Sequence, residues 1–120
     1  MKHILTCSFG KDCIATALLA LQHGEPLDEL VYSEVMFSDT VSGELPEHKR
    51  FIYETAIPYF EKRGIPTKIL RGQKTYLDCF YRIVSRGNAE GKLASFPLTG
   101  RCSIQRDCKL PPIRTYQKTL

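Results

Sequence analysis

No stretch of the chain approaches the ~20 consecutive apolar residues that a bilayer-spanning helix needs, so no membrane partner is expected. Nor does the start read as a secretory leader, and none is expected: "MKHILTCSFGKD" turns charged after too short an apolar run. The five cysteines (Cys7, Cys13, Cys79, Cys102, Cys108) are odd in number, irregularly spaced and without a C-x-x-C. They support neither a disulfide framework nor a zinc ribbon, and the expected compartment is the cytoplasm. His3, His23 and His48 form no ligand spacing, so no metal site is assigned to them. Repeats, low-complexity tracts and linkers are also missing. A single domain spanning residues 1–120 is expected, just large enough to bury a core. The net charge of +4 suits an anionic ligand of any size and is too weak to nominate DNA or RNA alone.

What is present alternates. "HILTCSF" (3–9) reads as a strand. Ile14, Ala17, Leu18 and Leu21 fall at helical spacing over Lys11 to His23, and Gly24 is a helix stop. "ELVYSEVMF" (29–37) reads as a second strand. Pro46 opens a second helix that runs to Arg63, with a kink or break expected at Pro58. "IPTKIL" (65–70) is a third strand. The order β-α-β-α-β predicts an α/β fold with a mostly parallel sheet, helices on both faces and right-handed crossovers. Beyond it, 76–85 looks helical, "RGNAEGK" is a loop, "LASFPL" is a short strand or extended segment, and a helix over 103–109 is expected to stop at Pro111-Pro112. Cys79 reads as core, and Cys102 with Cys108 as two thiols beside a short helix.

The first strand–helix joint carries "SFGKD". In an open parallel sheet, ligands bind outside the carboxyl ends of the strands. Gly10 is expected to take a positive φ in the tight turn. The first N–H groups of the helix have no intrahelical partner and favour an anion. Lys11 adds a cation and Ser8 a hydroxyl, while Asp12 would stabilise the helix start or help hold a phosphate-bound metal. Neither the P-loop G-x-x-x-x-G-K-[ST] nor the dinucleotide G-x-G-x-x-G occurs. After the second strand, "FSDTVSGELPEH" puts Asp39 where an acid can accept hydrogen bonds from ribose hydroxyls. A plain turn at Gly10, a helix-capping Asp12 and a turn aspartate at Asp39 are the competing readings.

"SFGKD", "SDT…ELPE" and "GRCSIQRDCKLPP", in this order, resemble the phosphoadenosine phosphosulfate (PAPS) reductase family of the PP-loop, adenine nucleotide α-hydrolase-like proteins. The resemblance runs from about His3 to Tyr116. It implies a shortened three-layer, Rossmann-like fold in which Ser8, Phe9, Gly10, Lys11, Asp12 and Cys13 wrap the phosphates of ATP or PAPS. Asp39 and Thr40 would flank the nucleotide or its metal, and Arg101, Cys102 and Lys109 would border the second substrate. Lys11 and Asp12 would be catalytic, with Mg²⁺ accompanying ATP as pyrophosphate leaves.

The departures from the family are specific. Cys13 stands in place of the loop's final serine, a weak thiol donor for a good hydroxyl one. Val41 stands in place of a glycine. The E-C-G-x-H-like motif that carries the reductase nucleophile does not occur, and no cysteine set suits an iron–sulfur cluster. Three functions follow. The first is an enzyme acting on a sulfonucleotide or cleaving ATP at the α-phosphate. The second is a shortened, inactive relative that binds nucleotide or a protein partner as a regulator or inhibitor. The third is a component of nucleic-acid sulfur modification, supported by the basic residues of the second half, Arg71, Lys74, Arg82, Arg86, Lys92, Arg101, Arg106 and Lys109. A homodimer covering a sheet edge is the expected assembly, if any.

Overall fold

A computed structural model describes residues 1–94 and 104–120. Three parallel strands carry the fold in the order β1-β2-β3: β1 (Ile4–Thr6), β2 (Glu29–Glu34) and β3 (Thr67–Arg71). β2 lies between the other two and all six of its residues are buried. Its apolar centre, Leu30-Val31-Tyr32, is the composition a strand covered by neighbours requires. Helix α1 (Lys11–Gln22) joins β1 to β2. Helix α2 (Pro46–Phe51), a π-helical turn (Ile52–Ala56) and helix α3 (Ile57–Glu61) join β2 to β3. Helix α4 (Tyr76–Phe80), a second π-helical turn (Gln105–Lys109) and helix α5 (Leu110–Gln117) follow. The protein is therefore an α/β fold with a small parallel sheet, in the element order the hydrophobic pattern predicts. Among the described residues no helix is long and apolar enough to cross a membrane.

The main core forms where Leu30 and Tyr32 meet Phe9, Ala17, Ile52, Ala56, Ile57, Phe60 and Ile65. Burying each large apolar side chain contributes roughly 1.5–3 kcal/mol, so this cluster fixes α1 and the α2–α3 stretch against the sheet. Ser33 and Glu29 of β2 bond instead to the last helical stretch. Ser33 Oγ donates to the Lys109 carbonyl at 2.9 Å, and the Tyr116 hydroxyl donates to the Glu29 carboxylate. Because 33→29 meets 109→116, that stretch runs antiparallel to β2.

Three local expectations are corrected. Pro58 does not end its helix, although α geometry is interrupted just before it. A proline ring collides with the carbonyl four residues back and removes a helical N–H; here the preceding turn widens, with Ile57 N–H bonding Ile52 O, and Pro58 falls in the first turn of α3. Pro111-Pro112 likewise do not stop the last helix. Leu110 N–H bonds Gln105 O, and both prolines lie inside α5, at its start. In the first loop the left-handed residue is Phe9, at φ 61, whereas Gly10 is extended at φ −77, ψ 174. The strand expected from "LASFPL" is described only as far as Ala94; Leu93 bridges Ile83, and the remainder lies outside the described residues.

Candidate functional site

β1 ends at Thr6, and the next four residues curl the chain into α1. Cys7 still belongs to the sheet through its N–H to the Val31 carbonyl, 2.8 Å. Ser8 is exposed and Phe9 is buried, its ring edge-on to Tyr32 with centroids 5.6 Å apart. That anchor holds Phe9 in a backbone region costly for a side-chain-bearing residue, a form of strain that concentrates at functional loops. His48, at the start of α2, closes over the loop. Its Nε2 lies 3.1 Å from the Ser8 carbonyl, and since a carbonyl only accepts, Nε2 carries the hydrogen.

Gly10 begins α1 with no side-chain cap. The first-turn N–H groups of α1 have no intrahelical acceptor, and the positive end of the helix dipole lies there. Beside this end is a cavity of about 220 Å³. Thr6, Cys7 and Ser8 line it from β1 and the loop, Cys13 from α1, and Val31 and Ser33 from β2. Gln105, Lys109, Leu110 and Ile113 close it from the last helical stretch. Its polar lining comes from hydroxyl, thiol and amide residues and one lysine, with no carboxylate, and the Ser33 hydroxyl already donates to the Lys109 carbonyl. The volume suits a phosphate or pyrophosphate group rather than a whole nucleotide, since sites for drug-sized ligands run ≈ 300–1,000 Å³.

Of the residues singled out from sequence, Ser8, Cys13 and Lys109 line this cavity together, although ~100 residues separate the loop from Lys109. Phe9 serves the core beneath it. Lys11 and Asp12 point outward, each side chain 91% exposed, and pair with each other at 2.9 Å. Asp39 and Thr40 are exposed in a turn closed by the Met36–Ser42 bridge, beyond the end of β2, and do not line the cavity. Arg101 and Cys102 lie outside the described residues.

Sequence reasoning missed Ser33, Gln105 and His48, whose residue types carry no motif. It also missed a thiol pair: Cys7 Sγ lies 2.7 Å from Cys13 Sγ, and Cys13 Sγ lies 3.5 Å from the Gly10 carbonyl. Burial, then the contact with Cys13, pushes the Cys7 thiol up to about 12. A second pair, Cys79 and Cys108, is fully buried with sulfurs 3.4 Å apart. Cys108 thus meets Cys79 of α4, and burial followed by that neighbour raises its thiol to about 12.

A larger cleft of about 590 Å³ opens elsewhere, between the end of β3 and α5. Arg71, Gly72 and Lys74 line one side, and Asp107, Pro112 and Tyr116 the other. Asp107 is held below the ordinary carboxylate value by its hydrogen bond to Arg106, against the opposing effect of burial; the charges of Arg106, Lys74 and Arg82 add to the lowering. Size favours this cleft, but the donor chemistry and the strand-end position favour the smaller cavity as the anion site. Among the described residues no group of three or more His, Cys, Asp or Glu side chains is arranged to hold a metal ion. No family model matches the chain, and neither a curated protein nor a solved structure is significantly similar to it.

Proposed function

We propose that the chain is a PP-loop protein of the PAPS reductase type that binds the phosphates of an adenine nucleotide, ATP or PAPS, at the carboxyl ends of β1 and β2. The observation that carries this reading is the convergence of Ser8, Cys13 and Lys109 on one small, carboxylate-free cavity beside the uncapped start of α1. A phosphate there would meet the helix dipole, the Ser8 hydroxyl and the Lys109 side chain. Lys11 is free to join them: its exposed pair with Asp12 is worth only about 0–1 kcal/mol and is readily exchanged for a phosphate. Mg²⁺ fits as a passenger on the nucleotide, because it is commonly held by one carboxylate plus phosphate oxygens, and Asp12 is the carboxylate at hand. It would neutralise charge as pyrophosphate leaves.

The finer architecture belongs to the same proposal: three layers, with α1 and α2–α3 on one side of the sheet and α5 on the other. Its support is the alternation along β2, where Leu30 and Tyr32 join the main core while Glu29 and Ser33 bond to Tyr116 and to the Lys109 carbonyl.

A second reading, a binding module without turnover, is favoured by one observation. The two residues expected to be catalytic, Lys11 and Asp12, are engaged with each other outside the cavity. Calorimetric titration with ATP and with PAPS, Mg²⁺ present, tests the shared premise. Binding should be weakened in Lys109→Ala and in Lys11→Ala/Asp12→Ala; a wild-type protein that binds neither nucleotide refutes both readings. Pyrophosphate release from ATP then separates the enzyme from the module, and salt-sensitive capture of RNA or DNA would point instead to nucleic-acid modification.

A further inference from the structure

The loop that would hold the phosphates is bracketed by two sulfurs in contact. Cys7 closes β1 and Cys13 sits in the first turn of α1. Their Sγ atoms, six positions apart in sequence, approach to 2.7 Å because the left-handed Phe9 turns the helix back onto the strand end. A disulfide requires ≈ 2.03–2.05 Å between sulfurs, so the two sulfurs need to close by less than about 1 Å for a bond to form. Both cysteines are free thiols. They differ in access: Cys7 is buried at 4% exposure and Cys13 is partly open to the cavity. That asymmetry supplies an attacking thiol and a resolving one.

We propose that Cys7 and Cys13 are a reversible thiol–disulfide modification site, whose oxidation closes a covalent ring around Ser8–Asp12 and weakens the loop's hold on a phosphate. The second half rests on the phosphate-loop reading above; the first does not. The oxidant is a low-molecular-weight disulfide of the glutathione class. The Cys13 thiol gives up its proton and attacks one sulfur of that disulfide, whose S–S bond breaks to release one thiol and leave a mixed disulfide on Cys13. The Cys7 thiol, deprotonated in turn, attacks the Cys13 sulfur and expels the second small thiol. Two protein thiols are oxidised and one small disulfide is reduced to two thiols. A dithiol reductant reverses the sequence.

Oxidation removes the Cys13 S–H that meets the Gly10 carbonyl and fixes the loop in the conformation its ring dictates. A serine in place of Cys13 would keep its donor and admit no such step. Cys79 and Cys108 are an internal comparison: their sulfurs are also in contact, but both are sealed in the interior at 2% and 1% exposure. Contact without access should leave them reduced.

The test uses the full folded chain, incubated with glutathione disulfide, alkylated, digested with trypsin without reduction and weighed by mass spectrometry. The expected product joins peptide 3–11 to peptide 12–49 and disappears after dithiothreitol, while Cys79 and Cys108 are recovered alkylated. In Cys7→Ser the resolving thiol is gone, so glutathione should accumulate on Cys13. Wild-type protein with Cys7 and Cys13 both alkylated overturns the proposal, as does stable glutathione on Cys13 at the level of the variant. Titration of the reduced and oxidised forms with Mg²⁺-ATP and with PAPS should show binding about fivefold weaker after oxidation, the scale of lost neutral hydrogen bonds. In Cys13→Ser the same treatment should leave the affinity ratio at one. Linked peptides with equal affinities overturn the gating. Linked peptides with no binding in either form overturn the phosphate reading and the gating with it, and leave the cysteine pairing supported.

Discussion

Arg71 on β3 grips Glu34 on β2 through a single oxygen, its Nε 2.8 Å and a terminal nitrogen 2.7 Å from Oε1. Glu34 is wholly buried, and the rest of its shell is equally specific. Ser42 Oγ donates to Oε2 at 2.8 Å, Tyr53 donates to Oε1 at 3.4 Å, and Lys49 lies 3.6 Å from Oε2. The carboxylate therefore ties β2 to β3, to the hairpin after β2 and to the helix that follows it. A buried charge is tolerated only when paired and hydrogen-bonded. Arg71→Met keeps the stem and removes the charge, leaving Glu34 with Lys49, Ser42 and Tyr53. The expected cost is about 2 kcal/mol, below the 3–5 for a fully stranded buried charge. Chemical denaturation of the variant against wild type measures it, and no change in midpoint would refute the role.

Acid should act through the same residue. Burial pushes the Glu34 carboxyl up, but hydrogen bonds from Ser42 and Arg71 and the charges of Arg71 and Lys49 outweigh it and hold it below the ordinary 4.5. A carboxylate whose folded value is lowered contributes stability above its unfolded value and loses it as pH falls through the folded one. Glu34 thus contributes fully at neutral pH, and its contribution fades on the acid side of 4.5. Unfolding free energy measured from pH 7 to pH 3 should fall less steeply in Glu34→Gln than in wild type. Parallel profiles would exclude Glu34 as a source of the acid sensitivity.

Phe9 makes an unusual forecast. Removing its buried ring should cost roughly 3–5 kcal/mol as Phe9→Ala. Phe9→Gly loses the same ring but also relieves the left-handed backbone, worth roughly 1–2 kcal/mol. Glycine should therefore be the milder substitution, the reverse of the usual order in an ordered segment. Thermal unfolding of the two variants decides it: alanine equal to or better than glycine would mean that Phe9 carries no strain.

Gly72 lines the larger cleft just after β3, and a Cβ there would lie 2.6 Å from the Cys108 carbonyl oxygen. Backbone cannot yield as a flexible side chain does. Gly72→Ala should push the Gln105–Lys109 turn away from β3 at about 1–3 kcal/mol. It should also raise the reactivity of Cys108 toward a thiol reagent, because that turn seals it. A rate of labelling unchanged from wild type would show that the turn adjusts without opening.

The alternation of strands and helices was legible because it is written in the spacing of apolar residues along short segments, as at Ile14, Ala17 and Leu21 of α1. What could not be read was set by contacts across the fold. Phe9 rather than Gly10 takes the left-handed turn because Tyr32 offers its ring a buried seat, and nothing within "SFGKD" announces Tyr32. Pro58 and Pro111-Pro112 read as helix breakers because the local rule assumes α geometry; a turn widened by one residue removes the collision. Ser8, Cys13 and Lys109 were legible through motif resemblance, and the cavity brings them together. Ser33, Gln105 and His48 were not, since a lone serine, glutamine or histidine acquires meaning only from its neighbours. The same holds for Glu34: the sequence pointed to Asp39 as the acid of that strand end, while the buried and bonded carboxylate lies five positions earlier.

The bonds that seat the last helical stretch on β2 span 76 and 87 positions of sequence, Ser33 to Lys109 and Tyr116 to Glu29. Each side of a β-α-β unit closes over a few tens of residues, but these two contacts close most of the chain. Loop closure of that span precedes any reward from the contacts it permits. The sheet with α1 and α2–α3 can therefore assemble while the small cavity beside α1 still lacks one wall, and Lys109 arrives only with the final docking step. In kinetic terms the cavity should mature after the core, so refolding followed by tyrosine burial would run ahead of refolding followed by protection of Cys108 from a thiol reagent.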